Sequence, residues 1–335
     1  MPKTTPVLPL IATDRNYFMG IAMLLVILYH FTCWGDFPRA FFPFHWGYIG
    51  VDVFLFVSAF GLCFSWQKYR YAAFLRRRLV RIMPLFLLSA AIDSAFYIGP
   101  GGGRLSAWDW LCNLTSLSYY ELGGFQRDWY LSALLLLYVL FPLLYTYVRK
   151  FRIAGIVLTL TAAVPMVGLT PGLDVLHNCL ISRIPVFLSG IACWFAFQAA
   201  APAAAGRSAL PAWAVGLTAA AGMALVALEV SGQSIRFMFL ASALLTPALL
   251  RVCAWCHGHL APRPMRWLRF MGRHSLEFYI ANLCVKNFIF YCPITNSYAE
   301  AAFYFAANGL IALLLIPVNR ACSRLLMPAG TRQAA

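Results

Sequence analysis

Apolar runs of roughly 17–22 residues, the length an α-helix needs to cross hydrocarbon, recur along almost the whole chain. A backbone entering a bilayer must satisfy its own N–H and C=O groups, so such runs fold either as helices or as strands of a closed barrel. Barrel strands alternate apolar and polar residues. These runs are continuous, and helices are the expectation. Composition argues against a water-soluble fold. Of the 335 residues, 62% are hydrophobic and 11% charged, with a mean hydropathy of +0.74. Soluble domains give about a quarter of their residues to charge. The expected fold class is therefore all-α, a polytopic membrane helix bundle.

About ten transmembrane helices are expected. They lie at Met19–Phe31 (with one further turn at its cytoplasmic end), Gly47–Trp66, Ile82–Ile98, Tyr130–Val148, Ile153–Thr170, Leu180–Gln198, Leu210–Val230, Ile235–Cys253, Ser275–Tyr291 and Ala299–Val318. An even number puts both termini on one side. Of the 26 lysines and arginines, 20 fall in the termini and the even-numbered loops, so the positive-inside rule makes both termini cytoplasmic. The organisation expected is a single membrane domain over residues 1–335, with a short N-terminal segment (1–14) and a C-terminal tail (320–335). The opening MPKTTPVLPL lacks the pattern of a cleavable signal peptide, and its prolines are expected to break any early helix. The alanine-rich stretch 198–211 reads as a hinge between spans. The net charge of +15 follows from the same asymmetry and suits anionic membrane lipids on the inner leaflet. A basic, aromatic-laced soluble face is missing, so no nucleic acid is expected as a partner. The ten cysteines lie mostly inside apolar runs and read as small hydrophobes.

Ionisable side chains inside such runs are costly and mark function by default. His30 ends the run GIAMLLVILYHFTCW, on the extracytoplasmic side by the charge rule. An imidazole there serves either as an interfacial group or as a base, since its ordinary pKa near 6.5 suits proton abstraction. Asp52, inside the second span, either orients His30 or binds acceptor hydroxyls, or else forms a structural pair with Arg183 or a backbone cap. Arg183 either holds an anionic acceptor group or neutralises Asp52. Ser275, Tyr279 and Asn282 fall at i, i+4 and i+7, one polar stripe of a helix, and line a pocket or pack against a neighbour. Glu277, off that stripe, is expected to pair with cytoplasmic arginines. In FLRRRLVRIMP, Arg78 and Arg81 are three apart and share a face able to grip one polyanion. Arg76 and Arg77 add to the field, although plain positive-inside anchoring explains the run as well.

Five stretches carry a resemblance in order. GYIGVDVFLFVSAFGL (47–62), RLVRIMP (78–84), DWYLSALLLLYVLFP (128–142), RIPVFLSGI (183–191) and GRHSLEFYIAN (272–282) resemble the signatures of the acyltransferase-3 family of integral membrane acyltransferases. The resemblance implies a membrane O-acyltransferase of about ten helices. It would move an acyl group, commonly acetyl, from cytoplasmic acyl-CoA to a hydroxyl of a cell-surface glycan or lipid-linked precursor. Acyl-CoA is then a donor substrate, with no cofactor bound permanently and no metal required. The implied setting is the bacterial cytoplasmic (inner) membrane. His30 matches the family's essential histidine. The implied roles are catalytic for His30 and Asp52, CoA phosphate contacts for Arg78 and Arg81 with Arg76 and Arg77, and substrate contacts for Arg183, Ser275, Tyr279, Asn282 and Trp129. The sequence departs from the family at Met19 (arginine in the family pattern), Leu134 (often glutamate) and Asn282 (often histidine). Arg15 lies one turn before Met19.

Other readings compete. A polytopic secondary transporter would also carry His30, Asp52 and Arg183 inside, but repeated halves and broken midplane helices are not evident. A catalytically inactive relative fits Met19 and Asn282. CAWCHGH (253–259) matches a c-type haem attachment pattern and offers thiol and imidazole to zinc, with ordinary loop residues as the default. GPGGGR (99–104) lacks the lysine and serine of a phosphate loop and reads as an outer turn. Asn113-Leu114-Thr115 is a glycosylation sequon relevant only in a secretory setting.

Overall fold

The computed structural model describes residues 6–33, 39–124, 128–170, 175–200, 211–230, 237–294 and 297–326. Most of the 198–211 hinge and the tail beyond Leu326 lie outside the described residues, within which the regular structure is helical, without a strand. In chain order the α-helices are α1 (Val7–Thr13), α2 (Arg15–Cys33), α3 (Ile49–Lys68), α4 (Tyr71–Ile98), α5 (Ala107–Leu114), α6 (Trp129–Leu169), α7 (Val175–Ile181), α8 (Ile184–Ala200), α9 (Ala212–Val230), α10 (Met238–His257), α11 (Pro262–Arg273), α12 (Ser275–Tyr291) and α13 (Ser297–Leu326). Short 3₁₀ segments cover Arg39–Tyr48 and Leu117–Tyr120.

Among the described residues six helices are long and apolar enough to cross a membrane, or seven if α1 and α2, bent by 95°, form one broken span. A helix nevertheless occupies each of the ten expected stretches. The difference has physical causes. Helix α12 has 17 residues and spends several on polar side chains. The apolar part of α9 is short, Ala212–Leu228. The 41 residues of α6 are two helices joined at Arg152, whose φ of 50° and ψ of −131° are not helical. That break falls in the basic turn expected between the fourth and fifth stretches.

One expectation is corrected at the N-terminus. The prolines there do not prevent an early helix, because Pro6 only precedes α1 and Pro9 sits in its first turn. Backbone N–H groups in a first turn have no intrahelical acceptor, so proline costs little there. Val7, Leu8, Leu10 and Ile11 are buried, and α1 packs against α8 and α10.

The chain forms two compact units. The first comprises residues 1–26, 48–69 and 140–273. Helix α3 lies at its heart, buried continuously from Gly50 to Phe60, as expected of a helix apolar on every face. It packs most extensively on α8, with α10 beside it and α9 against α10. Helices α2 and α11 touch backbone to backbone. A Cβ at Gly20 would stand 2.0 Å from the Leu268 carbonyl oxygen, and one at Gly272 1.8 Å from that of Asn16. Small residues permit such approach between helices in lipid.

At the bend between α1 and α2, Asp14 fixes three elements. Its Oδ2 accepts from Arg269 Nε at 2.7 Å on α11 and lies 3.0 Å from His257 Nε2 at the end of α10. Burial alone would raise the Asp14 carboxyl, but Arg269 and His257 outweigh it and hold it below the usual range. Tyr17 donates to the Cys253 carbonyl at 2.9 Å. The Cys253–His259 stretch thus closes the end of α10 against α2.

The second unit comprises residues 27–47, 70–139 and 274–335. Here α12 is central, packed on α13 and α4, and α4 also meets α13 and α5. Ser106 and Asp109 form a capping box at the start of α5. The orientation of its polar side chains makes this unit chemically distinctive.

Candidate active site

Helix α2 is apolar from Phe18 to Leu28, and His30 in its last turn is half-buried. His30 Nδ1 is hydrogen-bonded to Asn282 Oδ1 on α12. Asn282 is fully buried, and its Nδ2 donates to the Tyr304 hydroxyl of α13 at 2.5 Å. Tyr304 in turn donates to the Ile27 carbonyl at 2.8 Å, returning the chain of contacts to α2, one turn before His30. Three helices therefore close a ring of hydrogen bonds around one imidazole. Tyr29 stands beside it, its ring 5.5 Å from that of His30 and 5.9 Å from that of His45.

The polar stripe of α12 continues past this ring. Tyr279, one turn earlier than Asn282, donates to Asp128 Oδ1 at 3.0 Å, and its ring lies 5.1 Å from Tyr130. Asp128 immediately precedes α6 and also accepts from the Leu131 N–H at 3.3 Å. Burial raises its carboxyl above the ordinary range, only partly offset by those hydrogen bonds and by Lys286. Lys286, one turn beyond Asn282, brings its charge within range of both His30 and Asp128. Asn287 donates to Asp93 of α4 at 2.5 Å. The stripe is thus a wall of groups able to position a hydroxylated substrate near an imidazole.

The other sequence-derived candidates divide between the units. Trp129 is half-buried at the start of α6, its ring 5.9 Å from Tyr130. Ser275 is buried in the first turn of α12. Glu277 accepts from Asn319 at 2.8 Å and lies 3.8 Å from His274, so its partners are an amide and an imidazole where arginines were expected. On α4, Arg76 donates to the Leu326 carbonyl at 3.3 Å. Arg78 lies over the Phe74 ring at 5.7 Å, and Arg81 is exposed. Arg77 is half-buried among them.

Asp52 and Arg183 meet in the first unit. Arg183 Nε lies 3.2 Å from Asp52 Oδ1, with both side chains at 1% exposure or less. Ser242 donates to Asp52 Oδ2 at 2.7 Å. The remaining guanidinium nitrogens of Arg183 donate to the Cys179 and Tyr48 carbonyls, both at 3.4 Å, and its Cζ sits 4.5 Å over the Phe239 ring. This pair ties α3, α10 and the start of α8 together. The residue on His30 Nδ1 is Asn282, and the carboxylate of Asp52 is taken by Arg183 and Ser242.

Sequence reasoning did not single out Asp128, Lys286, Tyr304 or His45. Asp128 opens the DWYL stretch, and Lys286 extends the 275–279–282 stripe by one more turn; both signals were present. Tyr304 had none, because its importance comes from a contact 277 residues away in the chain.

Residues 16–318 match the family described as an acyltransferase domain. No curated protein and no solved structure matches the chain.

Proposed function

This chain belongs to the acyltransferase-3 family and is a membrane acyltransferase, and on that premise we propose that His30 is the general base of an O-acyl transfer from acyl-CoA. The donor is cytoplasmic, most simply acetyl-CoA, and the acceptor is a hydroxyl of a cell-surface glycan or its lipid-linked precursor. The single observation that carries this reading is the fixed imidazole of His30, held on one nitrogen and flanked by the polar stripe of α12. An alcohol is a poor nucleophile at neutral pH, and a positioned base accelerates its attack by about 10²–10⁴-fold. His30 takes the hydroxyl proton as the oxygen attacks the thioester carbonyl. The tetrahedral adduct then expels the CoA thiolate, which recovers that proton from the imidazolium. Tyr279, Asp128 and Lys286 supply donors, an acceptor and positive charge for the acceptor sugar and the developing oxyanion.

Arg78 and Arg81, with Arg76 and Arg77, would hold the CoA phosphates at the cytoplasmic end of α4. Residues 15 to 30 of α2 rise roughly 22 Å at 1.5 Å per residue, a distance the pantetheine arm would cover in reaching His30. In this reading the chain spans the inner membrane of a bacterium ten times, with both termini cytoplasmic. Ser275 and Trp129, in the same unit as His30, would contact substrate.

The test is mass spectrometry of surface glycans from cells carrying the wild type or His30→Ala, paired with purified protein given radiolabelled acetyl-CoA. Loss of one acyl mass at one hydroxyl in the variant, with a rate drop of about 10²-fold or more, is the expected outcome. Turnover at the wild-type rate by a normally inserted His30→Ala protein would refute the assignment.

A further inference from the structure

The ring of contacts around His30 specifies which of its nitrogens can act. A phenol has a single hydrogen, and that of Tyr304 points to the Ile27 carbonyl at 2.8 Å, an oxygen that can only accept. The Tyr304 oxygen is therefore left to accept, and the group facing it at 2.5 Å must be the NH₂ of Asn282. This orients the amide, so that Oδ1 faces His30 Nδ1. Two acceptors cannot share a hydrogen bond, so Nδ1 carries the proton. In a neutral imidazole the lone pair then resides on Nε2.

We infer that Asn282 and Tyr304 are positioning residues which lock His30 in the Nδ1–H tautomer and thereby present Nε2 as the proton acceptor. The lock originates in a backbone carbonyl of α2 itself and passes through α13 and α12 before returning to the same helix. Carboxylates and backbone carbonyls often orient a functional imidazole in this way. An amide differs in that it fixes the tautomer without adding charge. A carboxylate would favour the imidazolium and raise the pH at which the base becomes competent. Other groups bearing on the imidazole include Tyr29 on its own helix and Lys286 on α12.

The inference rests on the reading of His30 as base, and its test separates the two. The chain has six histidines. Nitrogen-15 NMR of histidine-labelled protein in lipid nanodiscs, with His30 assigned by difference from His30→Gln, reads the tautomer without any turnover. The wild type should show a protonated δ nitrogen and an unprotonated ε nitrogen. Tyr304→Phe frees the amide to reverse, and Asn282→Leu removes the acceptor; both should give mixed tautomers. In each variant kcat should fall about tenfold or more, with KM for donor and acceptor changed less than twofold. Asn282→Asp keeps an acceptor on Nδ1, so the δ-protonated form should persist while the acid limb of the pH–rate profile moves upward by about one unit. A wild-type imidazole protonated on the ε nitrogen would overturn the inference even if the variants did not fold. So would a tautomer unmoved in Tyr304→Phe and Asn282→Leu, whatever their activity, since Asn282 would then act on substrate directly. Full activity in His30→Ala would instead remove the base reading and leave the tautomer measurement standing.

Discussion

Replacing Arg183 by methionine should cost more than replacing any residue of the α12 stripe. The side chain is 1% exposed and its charge is answered by Asp52, itself fully buried. Breaking such a pair leaves one charge stranded in a low-dielectric interior, at a cost of about 3–5 kcal/mol. Removing both charges together leaves no stranded ion, and apolar replacements of similar volume are often neutral. Arg183→Met alone should therefore lower the unfolding midpoint in detergent sharply, and Asp52→Leu combined with it should recover most of the loss. Additive damage in the double variant would show that each residue matters for something other than the other's charge. The contrast with His30 is instructive. Its partner is a neutral amide, its side chain is only half-buried, and nothing about it is needed to neutralise a charge. Of these two sites, the Asp52–Arg183 pair balances its charge internally, whereas the His30 imidazole, in the proposed reading, keeps a nitrogen for proton transfer.

At the scale of elements, the crossing of α2 and α11 brings the two backbones into direct contact. Gly20 and Gly272 face opposing backbones at distances no Cβ tolerates, 2.0 and 1.8 Å. Because the obstacle is a carbonyl and not a yielding side chain, Gly20→Ala must push the helices apart. Overpacking of this kind costs typically about 1–3 kcal/mol. The expected result is a lower unfolding midpoint, whereas Gly216→Ala on α9, where a Cβ meets nothing within 4 Å, should leave it unchanged. Equal tolerance of both substitutions would mean the crossing is not as tight as described. This crossing also marks the limit of what a linear sequence discloses. Helix positions were legible from apolar runs alone, because the bilayer leaves so few folds available. The 275–279–282 stripe was legible because helical periodicity is local. Which helix each polar group meets was not, since Asn282 to Tyr304 and Tyr304 to Ile27 are tertiary contacts whose geometry no periodicity encodes. The short α1 was missed for a different reason, a proline being read as a breaker at a position where its missing N–H does no harm.

For the whole molecule the decisive quantity is where charge lies along the chain. The arginines of α4, the basic turn at Arg149–Arg152 and the arginines of α11 fall at ends of apolar helices that the charge rule assigns to one side. If that assignment holds, the turn at 99–104 and α5 face the opposite side from Leu326, and an enzyme using a cytoplasmic thioester can modify something outside. Alkaline phosphatase, active only outside the cytoplasm, fused after Gly102 should be active, and fused after Leu326 inactive; a fluorescent protein that matures only inside should give the reverse pattern. The order matters for mechanism as much as for topology. Arg78 and His30 belong to the same compact unit, one near the start of α4 and the other in the last turn of α2. Phosphatase activity at Leu326 would put the arginines on the side away from CoA, and the donor route along α2 would fail even with His30 as base. Activity at Gly102 alone leaves one path open, in which the thioester enters beside the arginines and meets the acceptor at the imidazole.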